Sequence, residues 1–408
     1  MKREFDTIVQ KYISPVLAHY TGWVLSEAQR LGIKHLFFLA RDGYQMYNIA
    51  KEISGNEGTP ECSYFYCSRY ALRMAAYRFH DDSAYDRLFI PAFKLTAGNM
   101  LKRAGFDEDE RRAVYRNIGF PEDESTVMGR SEFAKYCDRV RNSEVFNTIL
   151  NEKSDRAYEE TVKYFRQEGM DRYDKIGIVD LGWTGSLQHT MKRILDSMGV
   201  KSEIHGFYMG MLSSPPVSEN SEYHTWLFNE KNISVKAWFA HNLMECICTA
   251  PHGMTIGYKE ADGKIVPVIT ENENNTDLVE KIKEITLSYA EKNKSEIFKI
   301  TSHIKTKNLR RLHRLMFAPT EIQANALSEY CFCDDVGEQY HRSIVQNAKP
   351  VQFRKVLLFH KLRNRDNADG FYWYCGSVAA SDLLIKTFYR YEYLITNLVI
   401  LSLKKRIA

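Results

Sequence analysis

The sequence predicts an α/β fold built on a parallel sheet, and three observations carry that prediction. The apolar runs His35-Leu-Phe-Phe-Leu-Ala40 and Ser63-Tyr-Phe-Tyr-Cys67 flank a segment of helical periodicity, Tyr44 to Ile53. Strand–helix–strand at this spacing is a βαβ unit. A second pair of strand-like runs, Lys175-Ile-Gly-Ile-Val-Asp180 and Glu203-Ile-His-Gly-Phe-Tyr-Met209, flanks a helix expected over Thr184 to Met198. From about 71 to 170, between the two units, the chain is polar, charged and helix-like without a strand signal, which predicts a helical insertion.

The remaining elements follow in order. Ile8, Tyr12, Val16, Tyr20, Trp23 and Ala28 recur at helical spacing, with Pro15 marking a kink or a helix start and Gly32 a C-cap. Arg41-Asp42-Gly43 turns out of the first strand, Gly55 to Pro60 is a loop, and Gly199 sits where a helix C-cap belongs. Ser213-Ser-Pro-Pro216 is a linker signal, dividing an α/β core at 1–212 from a mainly helical region at 213–408. Trp226 to Tyr258 reads as mixed, Thr270 to Asp277 as a polar loop, and helices follow from Leu278.

Composition narrows the class. At 44% apolar and 26% charged, the 408 residues suit a globular chain of two or three domains. A net charge of +4 is too small to argue for a nucleic-acid partner, and none is expected. With 25 Tyr and 22 Phe, the chain is rich in rings that suit interfaces and sugar-stacking surfaces. The 8 Cys form no framework: Cys246/Cys248 and Cys331/Cys333 are C-x-C pairs without a His cluster at zinc spacing. Scattered thiols fit a reducing compartment. Met1-Lys-Arg-Glu-Phe-Asp lacks the apolar core of a signal peptide, and no apolar run is long enough to span a bilayer. A soluble, cytoplasmic enzyme is expected.

Five constellations could carry chemistry. In Val179-Asp-Leu-Gly-Trp-Thr-Gly-Ser-Leu-Gln188, a strand delivers Asp180 to its carboxyl end and a short turn opens a helix. A helix N-terminus suits a phosphate. Gly182 and Gly185 allow close approach, Thr184 and Ser186 add hydroxyls, and Asp180 can accept from sugar hydroxyls or hold Mg²⁺ through water. The plain alternative is a βα turn with Thr184 as N-cap. Leu39-Ala-Arg-Asp-Gly-Tyr44 is a second strand end, where Arg41 offers a fork to phosphate oxygens and Asp42 can orient it, bind metal or act as a base. An Arg–Asp surface pair is the alternative. Ser68 and Arg69 follow the second strand in the same manner. Glu245 and His252, within Glu245-Cys-Ile-Cys-Thr-Ala-Pro-His-Gly253, could line an acceptor pocket or be a buried Glu and a turn His. Last, Tyr389, Tyr393, Leu394, Leu398, Leu401 and Leu403 precede Lys404-Lys-Arg406, which suits either a membrane-surface helix or a core helix with a basic tail.

Two resemblances rest on these motifs. The run Ile176 to Leu187 resembles the phosphoribosyl-pyrophosphate loop of type I phosphoribosyltransferases, and Arg41-Asp-Gly43 is similar to that family's pyrophosphate loop. The resemblance implies that the Gly182, Trp183, Thr184, Gly185, Ser186, Leu187 and Gln188 segment holds the 5-phosphate, with Asp180 on the ribose. The family's adjacent pair of acids is here Asp180-Leu181, so one acid carries over, and the long gap between the loops requires the insertion. The chain also resembles bacterial polysaccharide-locus proteins through Phe38-Leu-Ala-Arg-Asp-Gly43, Ser68-Arg69, Asp180-Leu-Gly-Trp-Thr-Gly-Ser186 and Thr249-Ala-Pro-His-Gly253. Many of these are fused to a haloacid-dehalogenase-type phosphatase and labelled predicted hydrolases.

The resemblance implies a phosphoribosyltransferase-like core and transfer of a phosphoribosyl unit from phosphoribosyl pyrophosphate to a lipid-linked glycan, with Mg²⁺ at Asp42 and Asp180. The 213–408 region would bind the acceptor, and a phosphatase would act on the product to leave ribofuranose. Asp42 is the first choice of base, then Asp180, with Arg41 and Arg69 on the leaving group. Two rivals stand beside it. A haloacid-dehalogenase-like hydrolase would need its nucleophilic Asp where Ala40 stands. A non-catalytic component of a polysaccharide-assembly complex would explain the missing second acid.

Overall fold

The computed structural model of the chain describes residues 2–55, 58–79, 88–89, 96–119, 123–216, 218–271, 275–332, 342–358 and 370–407. Cys333 lies outside them, as do the side chains of Lys405 and Arg406. Five strands make one wholly parallel sheet: β1 (His35–Leu39), β2 (Glu61–Phe65), β3 (Lys175–Trp183), β4 (Glu203–Met211) and β5 (Ser221–Phe228). The α/β fold with a parallel sheet is therefore observed. Their order is β2-β1-β3-β4-β5. The chain leaves β1 on one side to build β2 and returns on the other to build β3. The order reverses there, and in open α/β sheets the crevice at such a reversal receives ligands.

The helices cover both faces, which is why β1 reads as a continuous apolar run and is buried throughout. Leu36 and Phe38 join one core with α1 (Ser14–Arg30) and α2 (Tyr44–Ile53), while Phe37 and Leu39 join another beneath α3 (Arg69–Ala76), α4 (Glu144–Gln167) and α5 (Ser186–Ser197). Strand alternation produces this division. Pro15 marks a helix start, as the second residue of α1. A π turn at Val9–Ile13 lies just ahead of it, between Lys2–Ile8 and α1. That turn absorbs the hydrogen bond a proline cannot donate.

The region from about 71 to 170 holds helices, turns and loops, with no strand among its described residues, and carries its own apolar cluster, including Leu101, Val114, Tyr136 and Phe146. Past Ser213–Pro216 the chain returns to the sheet as β5, and α6 (His241–Cys248), α7 (Thr276–Lys292) and α8 (Ser302–Phe317) share the first core. An unanticipated hairpin, β6 (Thr255–Ala261) and β7 (Lys264–Ile269), turns at Asp262-Gly263, both with positive φ.

The last helix, α9 (Lys386–Ile407), divides between the two readings of its apolar residues. Tyr389 is buried and Tyr393 stacks on Tyr374 at 4.3 Å, with Leu394 against the same cluster. Their rings satisfy a core, not a surface. The exposed apolar side chains are Leu384, Ile385, Phe388, Tyr391 and Ile395, together with Leu403. Among the described residues no helix is long and apolar enough to cross a membrane.

Candidate active site

Backbone hydrogen bonds tie the turn after β1 to its neighbours. Ala40 N–H donates to Phe65 O at 2.9 Å, and Gly43 N–H to Leu39 O at 2.7 Å, which opens α2 at Gly43. The Ala40–Arg41 peptide bond is cis. Asp42 and Arg41 are half-buried at the head of the strand.

The turn after β3 depends on unusual backbone. Gly182 has φ 115° and a Cβ there would overlap the Gly210 carbonyl oxygen; Gly185 has φ 68° and a Cβ would stand 2.6 Å from the Tyr223 ring. Only glycine meets both demands. Trp183 takes φ 79°, and its indole N–H donates to Glu245 Oε1 at 2.7 Å, which anchors the turn to α6. Gly185 occupies the N-cap of α5, and no side chain caps the helix. Thr184 is thus not the N-cap. It is exposed, and its hydroxyl donates to Ser186 Oγ at 3.1 Å. The first-turn amides of α5 carry partial positive charge with no side-chain acceptor on them, which is the arrangement an anion uses.

Because β1 and β3 are adjacent and parallel, both turns emerge at the same carboxyl end of the sheet. Asp42 and Asp180 meet there. Burial and the Glu245 carboxylate push Asp42 up to about 7, against the opposing pull of Arg41 and Arg69. Burial and Asp42 push Asp180 up to about 8, although the Leu181 and Gly182 amides and Arg69 favour its charged form. Three carboxyls (Asp42, Asp180 and Glu245) and two guanidinium groups are thus concentrated at the point where the strand order reverses, and Asp42 and Asp180 titrate near neutrality.

The other expected residues divide into those facing this cluster and those holding the fold. His252 accepts from or donates to the Tyr64 hydroxyl at 2.8 Å, and its Nδ1 lies 2.8 Å from Gly253 O. The Nδ1–H tautomer satisfies both contacts, and burial, aided by Arg41, keeps the ring neutral. Ser68 caps α3 by accepting from Ala71 N–H at 3.0 Å and donates to Thr255 O at 2.6 Å, so its hydroxyl serves the fold. The Gln188 side chain is buried as well. It donates to Ser221 Oγ at 2.8 Å and Glu222 O at 3.0 Å and accepts from the Tyr208 hydroxyl at 2.7 Å. Leu187 packs into the core beneath α5. From Leu187 and Gln188 only the backbone amides are left for a ligand.

Four further neighbours of this cluster of acids and guanidinium groups carry no functional signal in the sequence. The Tyr20 hydroxyl donates to the carbonyls of Asp180 (2.8 Å) and Phe207 (2.7 Å). His241, beside Arg69, is pushed down to about 4, chiefly by burial. The Cys67 and Cys248 thiols are held protonated by burial, with Asp180 and Asp42 contributing. They lie far from Asp42 and Asp180 in sequence, and no spacing signal links them. Among the described residues no group of three or more His, Cys, Asp or Glu forms a metal cage. Asp42 and Asp180 alone fit a Mg²⁺ that keeps its waters and arrives with a phosphate ligand, the usual habit of that ion.

Comparison with protein-family models yields no match, and neither does comparison with curated proteins.

Proposed function

We propose that the chain transfers a 5-phosphoribosyl group from phosphoribosyl pyrophosphate to a sugar hydroxyl in bacterial capsule or O-antigen assembly. The observation that supports this most is the pairing of two anion-friendly turns on adjacent strands, with the Asp42 and Asp180 carboxyls, both pushed up by burial and by neighbouring carboxylates, between them. The donor is an anion at both ends with a reactive carbon in the middle. Its 5-phosphate suits the uncapped α5 amides with Thr184 and Ser186, and its pyrophosphate suits Arg41 and Arg69.

In this reading the bond from ribose C1 to the pyrophosphate oxygen breaks, and its electron pair leaves with pyrophosphate. The acceptor oxygen bonds to C1, and its proton passes to the Asp42 carboxylate. Asp180 holds the ribose hydroxyls and fixes the ring for attack. Arg41 and Arg69 meet the charge that develops on the leaving group. Asp180 would hold Mg²⁺ through water, which would supply further neutralisation of that charge and leave Asp42 to act as the base. Glu245 acts through Trp183, which it positions.

A lipid-linked glycan is the acceptor that fits the rest of the chain. Leu384, Phe388, Tyr391 and Ile395 stand exposed at helical spacing, which supports a peripheral, cytoplasmic position at the inner membrane. A phosphatase would then remove the 5-phosphate from the product.

Incubation with phosphoribosyl pyrophosphate, Mg²⁺ and a lipid-linked or synthetic glycan is expected to release pyrophosphate and yield a phosphoribosylated glycan. Absence of both pyrophosphate release and donor binding by calorimetry would sink the reading. Phosphomonoesterase activity abolished by Asp42→Asn would replace it with a hydrolase.

A further inference from the structure

A group of rings stands beside the acids on the β2 side of the crevice, opposite the α5 turn. Tyr44 and Tyr47 lie one turn apart on α2, while Tyr64 and Tyr66 alternate along the end of β2 and share a face. Tyr64 is the hub. Its centroid is 5.8 Å from Tyr44, 5.7 Å from Tyr47, 5.1 Å from Tyr66 and 5.7 Å from His252. Tyr66 closes the set at 5.0 Å from His252. All five side chains are half-buried, so each keeps a portion facing water.

The polar atoms follow the same edge. The Tyr44 hydroxyl donates to Glu280 Oε1 at 2.8 Å and accepts from Lys283 Nζ at 3.2 Å, both on α7. The Tyr64 hydroxyl is 2.8 Å from His252 Nε2. Tyr44 follows Asp42 by two residues, so the platform adjoins the proposed base.

From this we infer that Tyr44, Tyr47, Tyr64, Tyr66 and His252 form a pyranose-binding platform for the acceptor. What it delivers to the acids rests on the transferase reading; that it binds sugar does not. A pyranose has a C–H face for ring faces and an equator of hydroxyls for phenols, a carboxylate and an ammonium group. A flat base would need a slot between parallel rings. Here Tyr44 and Tyr66 meet Tyr64 at 77° and 80°, so the rings pack on one another and form a one-sided surface.

The test uses the full chain and a panel of methyl glycosides of common hexoses and N-acetylhexosamines, titrated by NMR and calorimetry. Wild type is expected to bind at least one of them, with saturation passing from tyrosine ring protons to the glycoside. Tyr47→Leu and Tyr66→Leu keep apolar volume but lose the ring, and each is expected to weaken binding about tenfold. Tyr66→Phe is expected to stay close to wild type. Titration with phosphoribosyl pyrophosphate and Mg²⁺ is expected to be unchanged in all three variants. Absence of glycoside binding in wild type overturns the platform, as does unchanged affinity in folded Leu variants. Should a Leu variant fail to fold, the ring-to-glycoside transfer in wild type decides alone. Tyrosine-dependent glycoside binding without any donor binding would keep the platform and overturn the transferase.

Discussion

Asp42→Asn is expected to lower the rate of pyrophosphate release about a thousandfold while leaving the fold intact. A general base must be ionised to take a proton, and Asp42 titrates at about 7 beside an Asp180 at about 8. The wild-type rate should therefore rise from pH 6 to pH 8.5, and the Asn variant should lose that limb along with its activity. Stability runs the other way. Both carboxyls keep their protons to higher pH in the folded chain than in the unfolded one, where they titrate near 3.8. The folded state therefore binds more protons across that window. The stability that these two carboxyls contribute is full below about pH 4 and is lost as pH rises through about 7 to 8. Asp42→Asn removes a charge the folded state resists. Urea melts at pH 9 should find the variant about 2 kcal/mol more stable than wild type, allowing for solvent near a half-buried group. At pH 4 the two should coincide. A variant that loses both activity and stability at pH 9 would make Asp42 a structural anion instead.

The second large effect is expected at Gly206, beneath the α5 turn. A Cβ on this β4 residue would overlap Gln188 Oε1 and stand 2.5 Å from a Tyr208 ring carbon. Gln188 has nowhere to go, because it bridges Tyr208 to Ser221 and Glu222 and so ties α5 to β4 and β5. Gly206→Ala should cost about 4 kcal/mol, combining overpacking with the loss of buried hydrogen bonds. Gly257→Ala is the control: its backbone is not left-handed and its Cβ meets nothing within 4 Å, so its stability should stay near wild type. Denaturant melts of the two variants compare them directly.

The central strands were the legible part of the fold. β1 and β3 carry runs of buried apolar residues, and such runs announce strands without any partner in view. β2 was read two residues late. It is an edge strand with an exposed first residue and three half-buried ones, so its apolar signal concentrates at Tyr64 and beyond. β5 was missed for a similar reason, since Ser221-Glu-Tyr-His-Thr225 reads as a polar loop until β4 is known to lie beside it. The β6–β7 hairpin was within reach, because Asp262-Gly263 between alternating residues is a turn signal.

Both turns of the candidate site were legible, because strand, small residues and helix follow one another in the chain. Their meeting was not. It depends on β1 pairing with β3 rather than on any spacing, and the insertion separates the two in sequence. The internal roles of Ser68 and Gln188 were equally hidden. A hydroxyl or an amide beside a turn looks the same in sequence whether it faces a ligand or the far strand.

A single donor spanning both turns is detectable by calorimetry with Mg²⁺. Wild type should bind phosphoribosyl pyrophosphate, with ribose 5-phosphate and pyrophosphate each competing. Arg41→Ala should weaken pyrophosphate about tenfold or more and leave ribose 5-phosphate unchanged. Gly185→Val, which deforms the α5 turn, should do the reverse. A chain that binds neither fragment, or one in which both variants weaken both fragments equally, would contradict the two-ended site.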